Sequence, residues 1–160
     1  MSPKINSPLS KMTQSKCKEA RVDEARGTIL IVDDSRRIRF RASRRLQAER
    51  YDCITAADAE KALQETATHD FDLVLLDIEL PGISGVDILP QIIGDHPDTV
   101  VVMMSETAHI QTAVEALDLG ACDYVTKPFD LDDLSLRVDE ALERKRLISR
   151  KKKVSASPAS

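Results

Sequence analysis

The chain has 160 residues, 42% of them hydrophobic, which leaves room for one ordinary domain with tails. No apolar run is long enough to span a membrane, and "MSPKINSPLSKMTQSKCKEA" lacks the apolar core of a secretory signal, so a cytoplasmic protein is expected. The net charge of −4 hides an asymmetry: residues 1–26 carry six basic and three acidic side chains and residues 144–160 seven basic and none acidic, leaving an acidic body unsuited to specific nucleic-acid binding.

Residues 1–26 are polar, contain two prolines and show no sustained hydrophobic period, so they are expected to form a disordered basic tail. "TILIV" (28–32) is a continuous apolar strand. In 35–49, Ile38, Ala42 and Leu46 recur at helical spacing, with Asp34 or Ser35 able to cap the start. The seven arginines of 36–50 suit a solvated helix face or a partner-docking face. "YDCIT" (51–55) reads as a second strand and 57–68 as a helix with Ala59, Ala62 and Leu63 inward. "DLVLLD" (72–77) is a third, buried strand, followed by the turn "LPGISG" and a short helix over 85–94. "TVVVMMS" (99–105) is the fourth strand, and a helix over about 107–119 places Ile110, Ala113, Val114 and Leu117 on its apolar stripe, ending at Gly120. "CDYVT" (122–126) is the fifth strand, and Leu131, Leu134, Val138 and Leu142 mark the last helix. The three cysteines, Cys17, Cys53 and Cys122, are far apart with no CxxC and read as reduced thiols. The tail "RKRLISRKKKVSASPAS" reads as a solvated basic end.

Five apolar strands alternating with five helices mean an α/β fold with a doubly wound parallel sheet. Its functional crevice lies outside the carboxyl ends of the strands. Asp33 and Asp34, Asp77 and Ser105 stand at those ends, with Lys127 just past the fifth strand. Three convergent carboxylates repel unless a cation joins them, and an all-oxygen set suits a hard divalent ion, Mg²⁺ above all. One carboxylate can then act as a nucleophile toward phosphorus, giving an aspartyl phosphate.

"ILIVDDS", "LVLLDIELPGISG", "VVMMSE" and "DYVTKPFD" together resemble the motifs of the two-component response-regulator receiver domain, over about residues 27–147. The resemblance implies a flavodoxin-like sheet of order 2-1-3-4-5, with 148–160 as a basic C-terminal extension. It implies that Asp77 is the phosphoacceptor, charged by a sensor histidine kinase. Asp34 and Asp77 would bind Mg²⁺ through their side chains, Glu79 through its backbone carbonyl and Asp33 through water or weakly. Lys127 would pair with the phosphoryl oxygens, Ser105 would be the switch hydroxyl and Tyr124 the aromatic that follows it. The Lys127–Pro128 bond is expected to be cis. Signalling would pass through the face of the fourth helix, fifth strand and fifth helix to a downstream protein or into a homodimer, with no separate metabolite turned over.

Glu106 stands where the family usually has alanine or glycine, and Arg50 where a glycine commonly ends the first helix. The histidines, His69, His96 and His109, are scattered, which favours neither metal binding nor a phosphohistidine. Two other readings are weighed. The wording from "LGACDYVTKPFDLDDL" onward fits a receiver cut from a longer transcription regulator. A phosphatase of the haloacid-dehalogenase class also uses a strand-end Asp, but it wants Asp two residues on, where this chain has Glu79.

Overall fold

The computed structural model describes residues 25–156, with side chains through 148. The expected basic N-terminal tail lies outside the described residues except for its last two, as do residues 157–160. The strands are β1 (Thr28–Val32), β2 (Asp52–Ala56), β3 (Leu73–Asp77), β4 (Val100–Glu106) and β5 (Asp123–Lys127). The α-helices are α1 (Arg36–Ala48), α2 (Ala59–Thr68), α3 (Gly85–Asp95), α4 (Ile110–Asp118) and α5 (Leu131–Ala156), with a 3₁₀ turn over Thr107–His109. All strand pairings are parallel, in the order β2-β1-β3-β4-β5.

The alternation of the strands splits the core in two. Leu30, Val32, Val74, Leu76, Val101 and Met103 face α2, α3 and α4. Ile29, Ile31, Leu75, Val102, Met104 and Val125 face α1 and α5, which supply Ala42, Leu46, Leu134, Val138 and Leu142. Every residue of β3 is buried, because helices cover both its faces. Three helices begin on side-chain caps. Ser35 accepts from the Ile38 N–H, Asp58 from the Lys61 N–H, and Ser84 forms a reciprocal capping box with Asp87.

The structure differs from the sequence reading in three places. β2, β4 and β5 each sit one residue later than expected, because the residue after each expected end stays in the ladder: Ala56 pairs with Val32, and Glu106 with Lys127. The stretch expected as one helix from about 107 opens with the 3₁₀ turn, and α4 proper starts at Ile110. The stripe on α4 is also rotated. Ala113 and Ala116 meet the sheet, while Val114 and Leu117 are 40% and 37% exposed. Small residues let the helix approach the sheet closely and leave the larger aliphatics outside.

α5 has 26 residues, about 39 Å at 1.5 Å per residue, and its backbone continues past residue 147 without a break. Cys53 and Cys122 are free and half-buried, and burial pushes the Cys53 thiol up to about 12 and the Cys122 thiol upward. Cys17 lies outside the described residues. Among the described residues no helix is long and apolar enough to cross a membrane.

Candidate functional site

β1, β3, β4 and β5 deliver the expected site residues to one edge of the sheet. Asp33 directly follows β1 and is fully buried, its N–H donating to the Ala56 carbonyl at 3.1 Å. Its Oδ1 accepts from the Ser35 N–H at 2.8 Å. Asp77, the last residue of β3, is buried too, and its Oδ1 accepts from the Glu79 N–H at 3.2 Å. Lys127 ends β5 and reaches back, with Nζ 2.6 Å from Asp33 Oδ2 and 3.1 Å from Asp77 Oδ1. The Lys127–Pro128 bond is cis.

The electrostatics follow from that triangle. Burial, then the charge of Asp33, pushes the Asp77 carboxyl up to about 6, against the pull of Lys127. For Lys127 burial works downward, but the close pairing with Asp33 and the charges of Asp77 and Asp33 outweigh it, so the ammonium is held above its ordinary value. The lysine stays charged and Asp77 is ionised, though unusually basic, near neutral pH.

One lysine does not satisfy the carboxylates. Asp33 Oδ2 is buried and has no hydrogen bond of good angle; the Lys127 ion pair is its one close polar contact among the described residues. Asp34 is exposed, and oxygens of Asp33, Asp34 and Asp77 lie within 4.8 Å of one another. An under-satisfied buried oxygen beside two more carboxylates fits a hard divalent cation with an open, watered shell.

The backbone around Asp77 is constrained as well. A Cβ on Gly85 would lie 2.1 Å from the Asp77 carbonyl oxygen, so the LPGISG turn needs glycine there to bring the start of α3 under the strand end. The Gly85 N–H donates to the Ile78 carbonyl at 2.9 Å. Ser105 is buried on β4, and its hydroxyl donates to the Glu106 carbonyl at 2.9 Å. Tyr124 is half-buried on β5, paired across the ladder with Met103 and packed on the α2–α3–α4 side of the core.

The model of the response regulator receiver domain matches residues 29–139. The chain belongs to the receiver domain family. It is 42% identical over 121 residues to the nitrogen assimilation regulatory protein NtrX of Azorhizobium caulinodans, covering 74% of this chain and 27% of that protein. It is 40% identical over 115 residues to the regulatory protein AtoC of Escherichia coli, covering 72% of this chain and 25% of that one. The chain thus spans about a quarter of the length of these relatives. Among solved structures, the receiver domain of NtrX from Brucella abortus superposes with a TM-score of 0.69 at 41% identity, covering 72% of this chain and 98% of that one. A CheY-like receiver from Methanospirillum hungatei gives 0.71 at 31% identity, covering 74% and 95%. The fold, the two-component signalling role and the strand order 2-1-3-4-5 expected from the sequence hold.

In this receiver the structure groups with the mouth of the site a histidine that the sequence reading set aside as scattered. His109 Nε2 lies 3.1 Å from Glu79 Oε2, joining the loop after β3 to the turn after β4. Ligating atoms of Glu79, Glu106 and His109 fall within 4.8 Å of one another. The signal was present in the sequence. Glu79 is two residues past Asp77 and His109 four past Ser105, both just beyond strand ends that face the same edge.

Proposed function

We propose that Asp77 accepts a phosphoryl group from the phosphohistidine of a sensor histidine kinase, in the cytoplasm. The observation that carries this is the Lys127 ammonium bridging Asp33 and Asp77 at the strand ends, beside a buried carboxylate made unusually basic. Asp77 Oδ1 already takes the lysine and the Glu79 N–H, which leaves Oδ2 to attack phosphorus. The O–P bond forms, the P–N bond of the donor breaks, and its imidazole leaves with the electron pair. Asp34 and Asp77 through their carboxylates, Glu79 through its backbone carbonyl and Asp33 through water would hold Mg²⁺. That ion supplies charge neutralisation for the transferring phosphoryl oxygens. Lys127 neutralises a further oxygen and orients the group.

Ser105, whose hydroxyl here donates to Glu106, turns to the phosphoryl oxygen once it is in place, and Tyr124 moves into the vacated space. The face of α4, β5 and α5, where Val114, Leu117 and Leu119 are exposed, then changes its affinity for a downstream protein or a second copy. The domain itself turns over no separate metabolite and reads no DNA sequence. A second reading has its own support, because the relatives it matches include DNA-binding transcriptional regulators about four times its matched length. On that reading the same phosphorylation controls an output domain of a longer chain.

Incubation with acetyl phosphate and Mg²⁺ should add one acid-stable, base-labile phosphoryl group, lost in Asp77→Asn and on removal of the metal. Undiminished labelling of the variant overturns the assignment.

A further inference from the structure

The mouth of the pocket carries a second cluster of ligating groups, and its chemistry differs from that of the buried one. Glu79 lies in the loop after β3, Glu106 ends β4, and His109 ends the 3₁₀ turn that leads into α4. One ligating atom from each falls within 4.8 Å of the other two. Both carboxylates are exposed, and among the described residues neither is paired with a lysine or an arginine. Lys127, opposite Glu106 in the ladder, is committed to Asp33 and Asp77. Two carboxylates and an imidazole thus share one spot with no cation of their own, and the carboxylates repel each other until one joins them.

The spacing suits a shared ion. Two ligand atoms about 2.0–2.1 Å from a tetrahedral metal lie about 3.4 Å from each other. His109 Nε2 and Glu79 Oε2 are already 3.1 Å apart, and Glu106 has only to swing an exposed side chain to reach a third corner. Open space of about 430 Å³ beside Glu79 and His109, and of about 490 Å³ beside Glu106, leaves the fourth corner to water. The donor set selects the metal. The all-oxygen cluster of Asp33, Asp34 and Asp77 suits Mg²⁺, whereas an imidazole nitrogen with two carboxylates suits a borderline first-row ion. We propose that Glu79, Glu106 and His109 form a separate Zn²⁺ site that braces the loop after β3 against the start of α4. α4 buries only Ala113 and Ala116, so a bond from His109 to the ion gives it a firmer anchor than its own packing. Glu106 also carries the carbonyl that the Ser105 hydroxyl holds. An ion gripped by all three residues therefore fixes the resting arrangement and opposes a phosphoryl-driven movement of Ser105. That coupling, though not the site itself, rests on Asp77 as acceptor.

The test uses the full chain in excess Mg²⁺, with Co²⁺ as a coloured stand-in for Zn²⁺. Co²⁺ should bind with the strong visible bands of a low coordination number and be displaced by Zn²⁺. His109→Ala and Glu106→Gln should each weaken binding by about tenfold or more, a loss that even the outer-shell partners of metal ligands produce. Asp34→Asn should leave it unchanged. Zn²⁺ should slow hydrogen exchange at residues 107–113 of the wild type but not of His109→Ala, which acetyl phosphate should still load, showing it folded. Beryllofluoride with Mg²⁺ should in turn weaken Co²⁺ binding to the wild type several-fold, because coupling between two sites is reciprocal. No Co²⁺ binding in excess Mg²⁺, binding undiminished in His109→Ala, or binding abolished by Asp34→Asn overturns the site. Exchange that Zn²⁺ does not slow, or a Co²⁺ affinity indifferent to beryllofluoride, overturns the brace. Failure of acetyl phosphate to load the wild type would instead strike at Asp77 as acceptor.

Discussion

Asp77 carries a cost that its function explains. Its folded value of about 6 lies above the ordinary 3.8, so between those pH values the native state holds more protons than the unfolded chain. Stability from this group therefore falls as pH rises through that window and stays low above it. Asp77→Asn presents a neutral side chain of the same shape and escapes the penalty. In metal-free buffer at pH 7 the variant should be the more stable by up to about 3 kcal/mol, and the gap should close by pH 4. Urea unfolding of both proteins at the two pH values measures it; an equal gap at both would mean that burial of the charge is not the cause. The two glutamates at the mouth act on the incoming phosphate instead. Glu79 and Glu106 are exposed carboxylates beside the pocket, each opposing an anionic donor by about 1 kcal/mol after solvent screening. Glu79→Ala and Glu106→Ala should each speed loading from acetyl phosphate by about fivefold. Rates within twofold of wild type for both would make them bystanders.

The end of α1 shows what a single departure does to an element. The Arg50 N–H donates to the Gln47 carbonyl at 2.9 Å and the Tyr51 N–H to the Leu46 carbonyl at 3.1 Å, while Arg50 sits at φ 73°. That is a Schellman cap whose left-handed position holds arginine rather than glycine, with buried Tyr51 and Leu46 making its apolar contact. A side chain there costs about 1–2 kcal/mol, partly offset by the greater unfolded-state freedom of glycine. Arg50→Gly should raise unfolding stability by about 0.5–1 kcal/mol with the denaturant slope unchanged; a loss would show that the arginine makes a compensating contact. This cap was legible only through the family resemblance, in which a glycine commonly ends the first helix where this chain has Arg50. β1, β3 and β4 were legible because burial on both faces writes them as nearly unbroken apolar runs. The α4 stripe was not. Val114 and Leu117 outweigh Ala113 and Ala116 in any hydrophobic count, yet only small side chains fit where the helix meets the sheet. Asp33, Asp77 and Lys127 announced themselves as polar residues closing apolar runs. His109 announced itself only by its place just past the end of β4, because its contact with Glu79 runs between loops and no periodicity encodes such contacts.

Across the whole molecule the layers differ in how firmly they are held. α5 packs Leu134, Val138, Ala141 and Leu142 into its side of the core, and Tyr51 and Arg26 both reach Asp139 on it, at 2.6 and 3.3 Å. α4 on the opposite side buries only Ala113 and Ala116 and leaves Val114, Leu117 and, just past its end, Leu119 exposed. It is also tied to the site at two points: directly through the turn that follows Ser105, and through the His109–Glu79 contact across the mouth. An event at Asp77 that draws the Ser105 hydroxyl off the Glu106 carbonyl therefore pulls on the element with least core to hold it. Tyr124, on the strand paired with β4, has room to follow because it is only half-buried. Binding of beryllofluoride with Mg²⁺, as a phosphoryl mimic, should accordingly shift the amide resonances of residues 105–127 and the exposed side of α5, while α2 stays near its starting positions. The stripe of α4 should in the same experiment gain or lose hydrogen-exchange protection, since its helix has little else to fix it. Shifts confined to α1 and α2 would mean that the phosphoryl group speaks to that side alone. The loosely seated α4 would then be a passive cover rather than the output.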